Sequence, residues 1–490
     1  MPCLCPRNAG GVLYARTNGE YTMSSKLIHS RRNFIKQAAA VSLGFGGLET
    51  LFQRTAFAGL PAEQIPVGFG PLLRDPHRIM DLPEGFSYRV VSWVGDAMDD
   101  GLIVPGDADG MAAFPGPDGL TVLIRNHEIS PGDTKLGAFG LENERLAQLN
   151  TGLLYDAGFG KTPGLGGTST VHFDTRTGEV KRQFMSLAGT ARNCAGGPTP
   201  WNTWLTCEET VLTAGDICEK DHGFVFEVPA SATGLVTPVA LTAMGRFNHE
   251  AIAVDPKSGC VYLTEDRPDG LLYRFIPNVP GEMAPGGRLQ ALAFKERPSA
   301  DARNWNQDIQ VKIGETIAVQ WMDVADPLSP NDEMRQVGYT AGAARFARGE
   351  GMWYGNDSVY FACTNGGPIQ KGQIWRYHPS TAEGTEAEHV TPGYLQLMIE
   401  SQSAGLLDNG DNITVSPWGD LVICEDGSGE QFLVGVTPEG KIYKFGRNAT
   451  ARNSEFAGAT FSPDGSTLFV NIQHDGITLA ITGPWERRMA

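Results

Sequence analysis

The sequence predicts an all-β protein, a six-bladed β-propeller with loop insertions over one face. A unit of turn, short apolar strand and polar tip recurs six times along the chain. Glycine and proline, at 61 and 31 residues, are abundant, as expected for many short strands joined by turns. The 490 residues, 41% of them hydrophobic, suffice for one large propeller. We therefore expect a signal peptide over residues 1–58 and a single propeller domain over residues 59–490.

The N-terminal segment predicts export by the twin-arginine route. Arg31 and Arg32 precede an apolar stretch over residues 38–48, and residues 56–58 read Ala-Phe-Ala, which is typical of a cleavage site. The apolar stretch is too short to span a bilayer, so we expect no stable membrane anchor. The pattern predicts recognition by the twin-arginine export machinery.

The expected destination is therefore the periplasm or the external medium. Met23 is an alternative start to Met1, and the basic, apolar and small-residue regions follow either start. Because this route generally carries folded proteins, it favours cargo that already holds a cofactor. The sequence shows no sign of a subunit interface, so we expect a monomer.

Several functional classes are excluded. The formal net charge of −17 argues against a nucleic-acid partner and leaves either a solvated acidic surface or cation binding. The eight cysteines form no C-x-x-C pair, which excludes zinc-ribbon and thioredoxin-like sites. A G-x-S-x-G nucleophile motif and a Walker phosphate loop are both absent from the sequence.

The repeated unit predicts one strand of each blade. Its six apolar runs are residues 120–124, 203–207, 260–263, 358–363, 421–424 and 467–470. A strand over residues 86–94 is expected to close the ring by pairing with C-terminal strands near residues 468–470. Residues 277–342 are interpreted as loops over one face, and Cys194 as part of a loop. Two stacked β-sandwiches are the alternative, but they would not explain six matching polar tips.

The polar tips predict a metal centre on the propeller axis. Equivalent residues of successive blades converge there, and many carboxylates cannot share a small volume while ionised unless cations are bound. Oxygen ligands suit calcium, whereas a thiolate suits a transition metal such as iron. Each polar cluster alone is also compatible with a turn or a structural histidine. The acids at the tips are Glu128, Glu208, Glu209, Glu265, Asp266, Glu425 and Asp426.

Further clusters match this pattern. The triplet Asn126-His127-Glu128 recurs at Asn248-His249-Glu250, and Asp411-Asn412 precedes the fifth strand. Arg348 beside such a centre is a natural phosphate clamp, because its guanidinium binds oxyanions with two parallel hydrogen bonds. The alternative for Arg348 is a simple ion pair with Glu350.

At these motifs the chain resembles the PhoX alkaline phosphatase family. The longest matching segment is residues 193–209, Asn-Cys-Ala-Gly-Gly-Pro-Thr-Pro-Trp-Asn-Thr-Trp-Leu-Thr-Cys-Glu-Glu. Further matches are Asn248-His249-Glu250, Arg348-Gly349-Glu350, and Asp411-Asn412 with Cys424-Glu425-Asp426. The resemblance spans essentially the whole chain. It implies a six-bladed propeller that binds iron and calcium at the mouth of its channel and hydrolyses phosphate monoesters, with diesters as a further substrate class.

The resemblance also implies roles for individual residues. Cys194 would bind iron, and Arg348 would hold the phosphate and stabilise the charge that develops on it. Arg348 and Glu350 would be the catalytic residues, and Glu350 would also be a metal ligand. Asn126 and His127 would contribute to substrate binding. The metal ligands expected from the tips and the resemblance together are Cys194, Glu208, Glu209, Glu250, Glu265, Asp266, Glu350, Asp411, Asn412, Glu425 and Asp426.

Two other functions remain open from the sequence. One is a calcium-dependent propeller hydrolase of the lactonase type, against which Cys194 and Arg348 argue because a single calcium site needs neither. The other is a non-catalytic propeller that binds a partner and uses its acids only for structure.

Overall fold

In the computed structural model, residues 67–489 are described, and the predicted signal peptide lies outside them. Within that part the regular secondary structure consists mainly of β-strands with a single α-helix, so the all-β prediction is confirmed. The first strands are β1 (Leu72–Leu73), β2 (Met80–Pro83), β3 (Ser87–Trp93), β4 (Ala108–Pro115), β5 (Thr121–His127), β6 (Gly166–Asp174), β7 (Glu179–Thr190), β8 (Asn193–Pro198), β9 (Thr203–Glu208), β10 (Val225–Pro229), β11 (His249–Val254), β12 (Val261–Glu265) and β13 (Leu272–Val279).

The strands continue to the C-terminus with few helical interruptions. They are β14 (Glu282–Phe294), β15 (Thr316–Asp323), β16 (Gly349–Gly355), β17 (Ser358–Cys363), β18 (Gln373–His378), β19 (Tyr394–Glu400), β20 (Gly410–Val415), β21 (Leu421–Glu425), β22 (Phe432–Val436), β23 (Ile442–Asn448), β24 (Phe456–Phe461), β25 (Leu468–Ile472) and β26 (Ile477–Thr482). The α-helix of the described chain is α1 (Met334–Ala341). Short 3-10 helices span Pro117–Gly119, Glu144–Gln148, Thr151–Leu153, Gly158–Gly160, Thr242–Met244, Trp305–Gln307, Glu386–His389 and Trp485–Arg487.

These strands form five hydrogen-bonded antiparallel sheets. Four of them have the orders β4-β5-β6-β7, β10-β9-β8, β1-β2-β23-β22-β21-β20 and β24-β25-β26-β3. The fifth has nine strands, β11-β12-β13-β14-β15-β19-β18-β17-β16, in which β15 joins two four-stranded halves. The inner strands contact one another in the closed order β4, β8, β11, β16, β20, β24 and back to β4. The arrangement is thus propeller-like, but one sheet spans two of these inner strands.

The ring is closed by the N-terminal strand. β3 pairs with β26 from Ile477 opposite Trp93 to Thr482 opposite Ser87. The prediction that residues 86–94 pair near residues 468–470 was wrong in the partner strand, because β25 in that region already pairs with β24 and β26. Covering the free edge of β26 in this way removes unpaired backbone groups from the sheet edge.

The core lies in the layers between successive sheets. One layer packs Phe114 and Ile124 of the β4–β7 sheet against Trp204 and Phe226 of the neighbouring sheet. These side chains alternate along their strands with residues that face the opposite side, as the period of two requires. Cys207, Cys363 and Cys424 lie in such strands and are fully buried, where cysteine acts as a small hydrophobic residue.

Two sequence interpretations need correction. Residues 277–342 contain β14, β15 and α1 rather than loops alone, because the polar and glycine-rich turns there separate segments that pair with β13 and β19. Cys194 lies in strand β8, not in a loop. The run Cys-Ala-Gly-Gly is extended there because neighbouring strands approach too closely for larger side chains: a Cβ on Gly196 would lie 2.0 Å from the Leu205 carbonyl oxygen.

The described residues also bear on the predicted absence of a membrane anchor. In residues 67–489 we find no helix that is both long and apolar enough to cross a bilayer.

Candidate metal centre

The six inner strands share a local irregularity at the same end. Each carries a shift of register near its start, after Ala108, Asn193, His249, Gly349, Gly410 and Ala457. Such bulges bend a strand and redirect the side chain at the extra residue. The second residues of these strands are Asp109, Cys194, Glu250, Glu350, Asp411 and Ala457, so five of the six offer a metal-ligating atom.

A second set of side chains comes from the loops that follow β5, β9, β12 and β21. The backbone N–H of Glu128 donates to Asp107, that of Glu209 to Arg192, and that of Asp426 to Asn409, at 2.9 Å each. Each bond fixes a loop acid beside the start of an inner strand. Asp266 is held in the same way by the carbonyl oxygen of Asn248 at 3.1 Å.

The two sets meet in three overlapping groups of ligand atoms. Within each group the candidate ligand atoms all lie within 4.8 Å of one another. The groups are Cys194, Glu209 and Glu250; Glu250, Glu350 and Asp411; and Asp411, Asp426 and Glu455. Glu250 therefore belongs to the first and second groups, and Asp411 to the second and third.

The end of the inner strands where these three groups lie is called the mouth below. Electrostatics show why the mouth fits cations. Burial, and then the neighbouring carboxylate Glu128, raises the pKa of Glu209 to about 9. Burial and Asp426 raise the pKa of Asp411 to about 7. Burial followed by Glu350 holds the pKa of Glu250 well above its usual range. Carboxyls that repel one another this strongly are stabilised as carboxylates by bound metal ions.

Unsatisfied atoms support the same interpretation. Asp109 is buried, and its Oδ1 has no hydrogen-bond partner among the described residues. The Oδ1 of buried Asn248 is likewise unpaired there. A buried oxygen without a donor is costly unless an ion or water satisfies it. The oxygen-rich donor set with one thiol therefore fits a cluster of metal ions.

Two arginines border the groups. Arg192 and Arg348 each stand two residues before an inner-strand ligand, and both have φ of +50°. Arg348 donates from Nε and Nη2 to Asp266 at 2.7 and 2.8 Å and also pairs with Glu350 at 2.8 Å. Arg192 pairs with Glu128 and Glu209. Both side chains are 36% exposed, so each can reach a ligand at the mouth.

Four acids predicted as metal ligands lie outside these groups: Glu208, Glu265, Asp266 and Glu425. Glu208, Glu265 and Glu425 end β9, β12 and β21, and each faces into its own sheet. Glu265 accepts hydrogen bonds from Tyr273 and the Leu271 N–H, and Glu425 from the N–H groups of Asp408 and Phe432. The next residue along the chain points to the opposite side, so alternation sends Glu209, Asp266 and Asp426 to the mouth instead.

Asn126 and His127 are also directed into the sheet. Asn126 donates to the carbonyl oxygens of Cys194 and Ala195, at 3.0 and 2.7 Å, and so supports the strand that carries the thiol. His127 contacts the Gly106 carbonyl oxygen and Ser169 and is fully buried. Asn412 accepts from the Gly458 N–H at 2.6 Å and donates to Asp411.

Sequence reasoning missed Asp109, Arg192 and Glu455. Asp109 is the second residue of β4, in the run Ala-Asp-Gly, and this run resembles an ordinary turn when it is read in isolation. Arg192-Asn193-Cys194 has the same spacing as Arg348-Gly349-Glu350, and this repeated interval was the signal that could have found Arg192. Glu455 stands just before β24 and shares no motif with the other tips.

Below the mouth the axis is nearly closed. The cavity there has a volume of about 20 Å³, room for a single water molecule. Small residues let the inner strands approach: a Cβ on Gly110 would lie 2.6 Å from the Ala195 Cα. A substrate therefore reaches the metal groups from the open end.

The propeller-like fold and the clustered acids define a metal-dependent hydrolase. The sequence matches the family described as alkaline phosphatase PhoX over residues 67–476. The chain belongs to this family and is a metal-dependent phosphatase. Among curated proteins, none matches the sequence.

Solved structures are similar to this chain to different degrees. Pseudomonas fluorescens PhoX in complex with vanadate, a transition state analogue, has 18% sequence identity and a TM-score of 0.63, covering 87% of this chain and 99% of its own. A putative gluconolactonase matches with 10% identity and a TM-score of 0.40, covering 84% and 98%. A gluconolactonase from Xanthomonas campestris matches with 11% identity and a TM-score of 0.38, covering 86% and 99%.

Proposed function

We propose that the protein hydrolyses phosphate monoesters, with diesters as a further substrate class, at the mouth formed by the inner strands. The observation that carries this proposal is the convergence of a thiol and seven carboxylates, from the inner strands and the segments beside them, next to two arginines. The similar Pseudomonas fluorescens protein is in complex with vanadate, a transition state analogue, which supports our proposal that this chain binds a phosphoryl group beside its clustered acids. The proposed ligands are Cys194, Glu209, Glu250, Glu350, Asp411, Asp426 and Glu455, with Asp109 beside them.

We propose iron and calcium as the metals. The group with Cys194 offers a thiolate, which favours a transition metal such as iron. The groups built on Glu350, Asp411, Asp426 and Glu455 offer only carboxylate oxygens, which favour calcium. When bound, such cations supply Lewis acidity and neutralise the phosphate oxygens.

The two arginines would hold the substrate. Arg348 presents a planar fork that suits phosphate, and Asp266 keeps the fork in orientation through two hydrogen bonds. Arg192 is held in the same way by Glu128 and Glu209. Preorganised donors of this kind stabilise the charge that develops in the transition state. Glu350 touches both Arg348 and the metal groups, so it would link substrate binding to metal binding.

The number of blades is part of the proposal. We propose six, counting the halves of the nine-stranded sheet on either side of β15 as separate blades. Support comes from the six inner strands, each with a register shift at the same end, and from the closed order of their contacts. We further propose that residues 59–490 are one domain, exported as a monomer by the twin-arginine machinery to the periplasm or the external medium.

Metal analysis combined with a phosphatase assay tests the proposal. Iron and calcium would be measured in the purified protein by mass spectrometry, and p-nitrophenyl phosphate hydrolysis before and after EDTA. We expect both metals, loss of activity with EDTA, and recovery when metal is returned. Glu350→Gln should lose metal and activity, whereas Glu179→Gln, at the exposed start of β7, should keep both. Full activity in metal-free protein would refute the proposal.

A further inference from the structure

A second group of metal-ligating side chains shares no residue with the central mouth. Asp156 follows the 3-10 helix Thr151–Leu153, while Cys218 and His222 lie in the loop between β9 and β10. The three residues are 1%, 2% and 0% exposed. One ligand atom from each lies within 4.8 Å of the ligand atoms of the other two. Neither the sequence motifs nor the phosphatase reaction accounts for this group.

The geometry around His222 leaves a gap that a cation would fill. Its Nδ1 lies 2.6 Å from Glu208 Oε1, close enough for the ring to donate a proton to that carboxylate. Its Nε2 faces Asp156 Oδ2 at 3.3 Å. When Nδ1 carries the proton, Nε2 and the carboxylate oxygen are both acceptors. Either a second proton or a cation must then lie between them.

The thiol of Cys218 completes the group. It is buried, it forms no disulfide, and it has no hydrogen-bond partner within residues 67–489. A buried polar atom directed at an imidazole and a carboxylate is an arrangement that a metal ion satisfies.

Glu208 stands in the position of a supporting carboxylate. Histidines that bind metals generally donate their other ring N–H to a carboxylate or carbonyl, which fixes the tautomer and the ring orientation. Glu208 does this for His222 and is itself fixed by the N–H groups of Ala191, Gly223 and Phe224 at 2.9, 2.9 and 3.2 Å. His222 therefore presents Nε2 in a defined direction.

We propose that Asp156, Cys218 and His222 bind one zinc ion, separate from the phosphatase centre. A thiolate, an imidazole and a carboxylate are the ligands that zinc prefers, whereas calcium takes six to eight oxygen atoms. Three protein ligands leave one tetrahedral position for a solvent molecule. Asp156 retains free lone pairs although its two oxygens also accept the N–H groups of Gly158 and Lys220.

The zinc ion would connect two loops at the edge of the mouth, because its ligands come from both of them. The loop of Asp156 and the loop of Cys218 already meet through the Phe159 N–H, which donates to Glu219 at 2.6 Å. Glu208 extends this connection to Ala191, next to Arg192. The site thus supports the backbone that leads into β8, and its loss should lower stability more than the rate of phosphate release.

The test is zinc analysis of the purified holoenzyme and of matched variants. We expect about one zinc per chain in the native protein, and loss of that zinc in Cys218→Ser and Asp156→Asn. Cys260→Ser is the control, because Cys260 is equally buried and belongs to none of the metal groups. Cobalt added to EDTA-treated protein should give a stronger thiolate charge-transfer band in the near ultraviolet with native protein than with Cys218→Ser, in which Cys194 is the remaining thiol of the metal groups.

Zinc content and zinc binding test this site independently of phosphatase activity. Native protein that contains no zinc and binds none when zinc is added after EDTA would overturn the proposal, leaving a hydrogen-bonded Asp156–His222–Glu208 network. If Cys218→Ser does not fold, the rate at which an alkylating reagent labels Cys218 in the native protein decides whether zinc binds there. Added zinc should slow the labelling of Cys218 after chelation, and an unchanged rate at that residue would refute the site.

Discussion

Glu208 and Glu209 are adjacent, yet the structure predicts opposite consequences for their replacement by glutamine. Glu208 is fully buried, and its two oxygens accept three backbone N–H groups and contact His222. A glutamine there turns an amide group toward two of these donors. Each orphaned buried donor costs about 1–3 kcal/mol, so Glu208→Gln should lower the free energy of unfolding by about 4 kcal/mol. The central metals should remain in the folded fraction.

Glu209→Gln should do the reverse. Its carboxylate faces Arg192, which is 36% exposed, and such a pair contributes about 0–1 kcal/mol. The free energy of unfolding of metal-free protein should therefore change by no more than about 1 kcal/mol. Its removal from the Cys194 group should instead reduce bound iron in the holoenzyme. Guanidinium unfolding followed by tryptophan fluorescence, in EDTA, measures the first quantity, and mass spectrometry measures the second.

The comparison is sharp because both variants make the same chemical change one residue apart. If Glu208→Gln lost the central metals at unchanged stability while Glu209→Gln retained them, the assignment of the two side chains to opposite faces of β9 would be wrong. Loss of the proposed zinc in Glu208→Gln would not count against the argument, because Glu208 orients His222.

Three further predictions concern other parts of the molecule. Gly351→Ala would place a Cβ 2.6 Å from backbone atoms of β20 and should reduce metal content and activity, whereas Gly234→Ala, with open space around it, should change neither. Arg274→Met leaves the buried carboxylate of Glu383 and the partly buried carboxylate of Glu388 without their cation and should destabilise the protein by about 3–5 kcal/mol, measured by chemical denaturation. Glu250→Gln should remove more metal than Asp426→Asn by mass spectrometry, because Glu250 belongs to two ligand groups and Asp426 to one; equal losses would contradict this sharing.

Much of the fold was predictable from local sequence. All six apolar runs between residues 120 and 470 became strands, from β5 to β25, since turn residues mark their starts and polar tips their ends. The inner strands were not predictable in the same way. Asn193–Pro198 is extended because it lies between β9 and the neighbouring inner strands, a tertiary contact that overrides its glycine-rich, turn-like composition.

The candidate site was predictable in kind but not in detail. The sequence placed acids at strand ends and could not choose between Glu425 and Asp426, because the choice depends on which face of β21 looks toward the axis. The structure decides this through pairing: Glu425 still belongs to the ladder opposite Gly410, whereas Asp426 has left it. Arg192 and Glu455 were missed because their neighbours in the site come from distant parts of the chain.

The alternation that separates Glu208 from Glu209 also connects the two proposed metal sites. One residue of the pair faces the central mouth and the other faces His222, so a single strand end serves both centres from opposite sides. Any shift of β9 by one residue would exchange the two carboxylates and disable both sites together. The backbone bonds from Gly223, Phe224 and Ala191 to Glu208 prevent that shift. The carboxylate of Glu208 therefore fixes the strand register that directs Glu209 to the mouth, which explains why two acids stand side by side where the metal groups use only one.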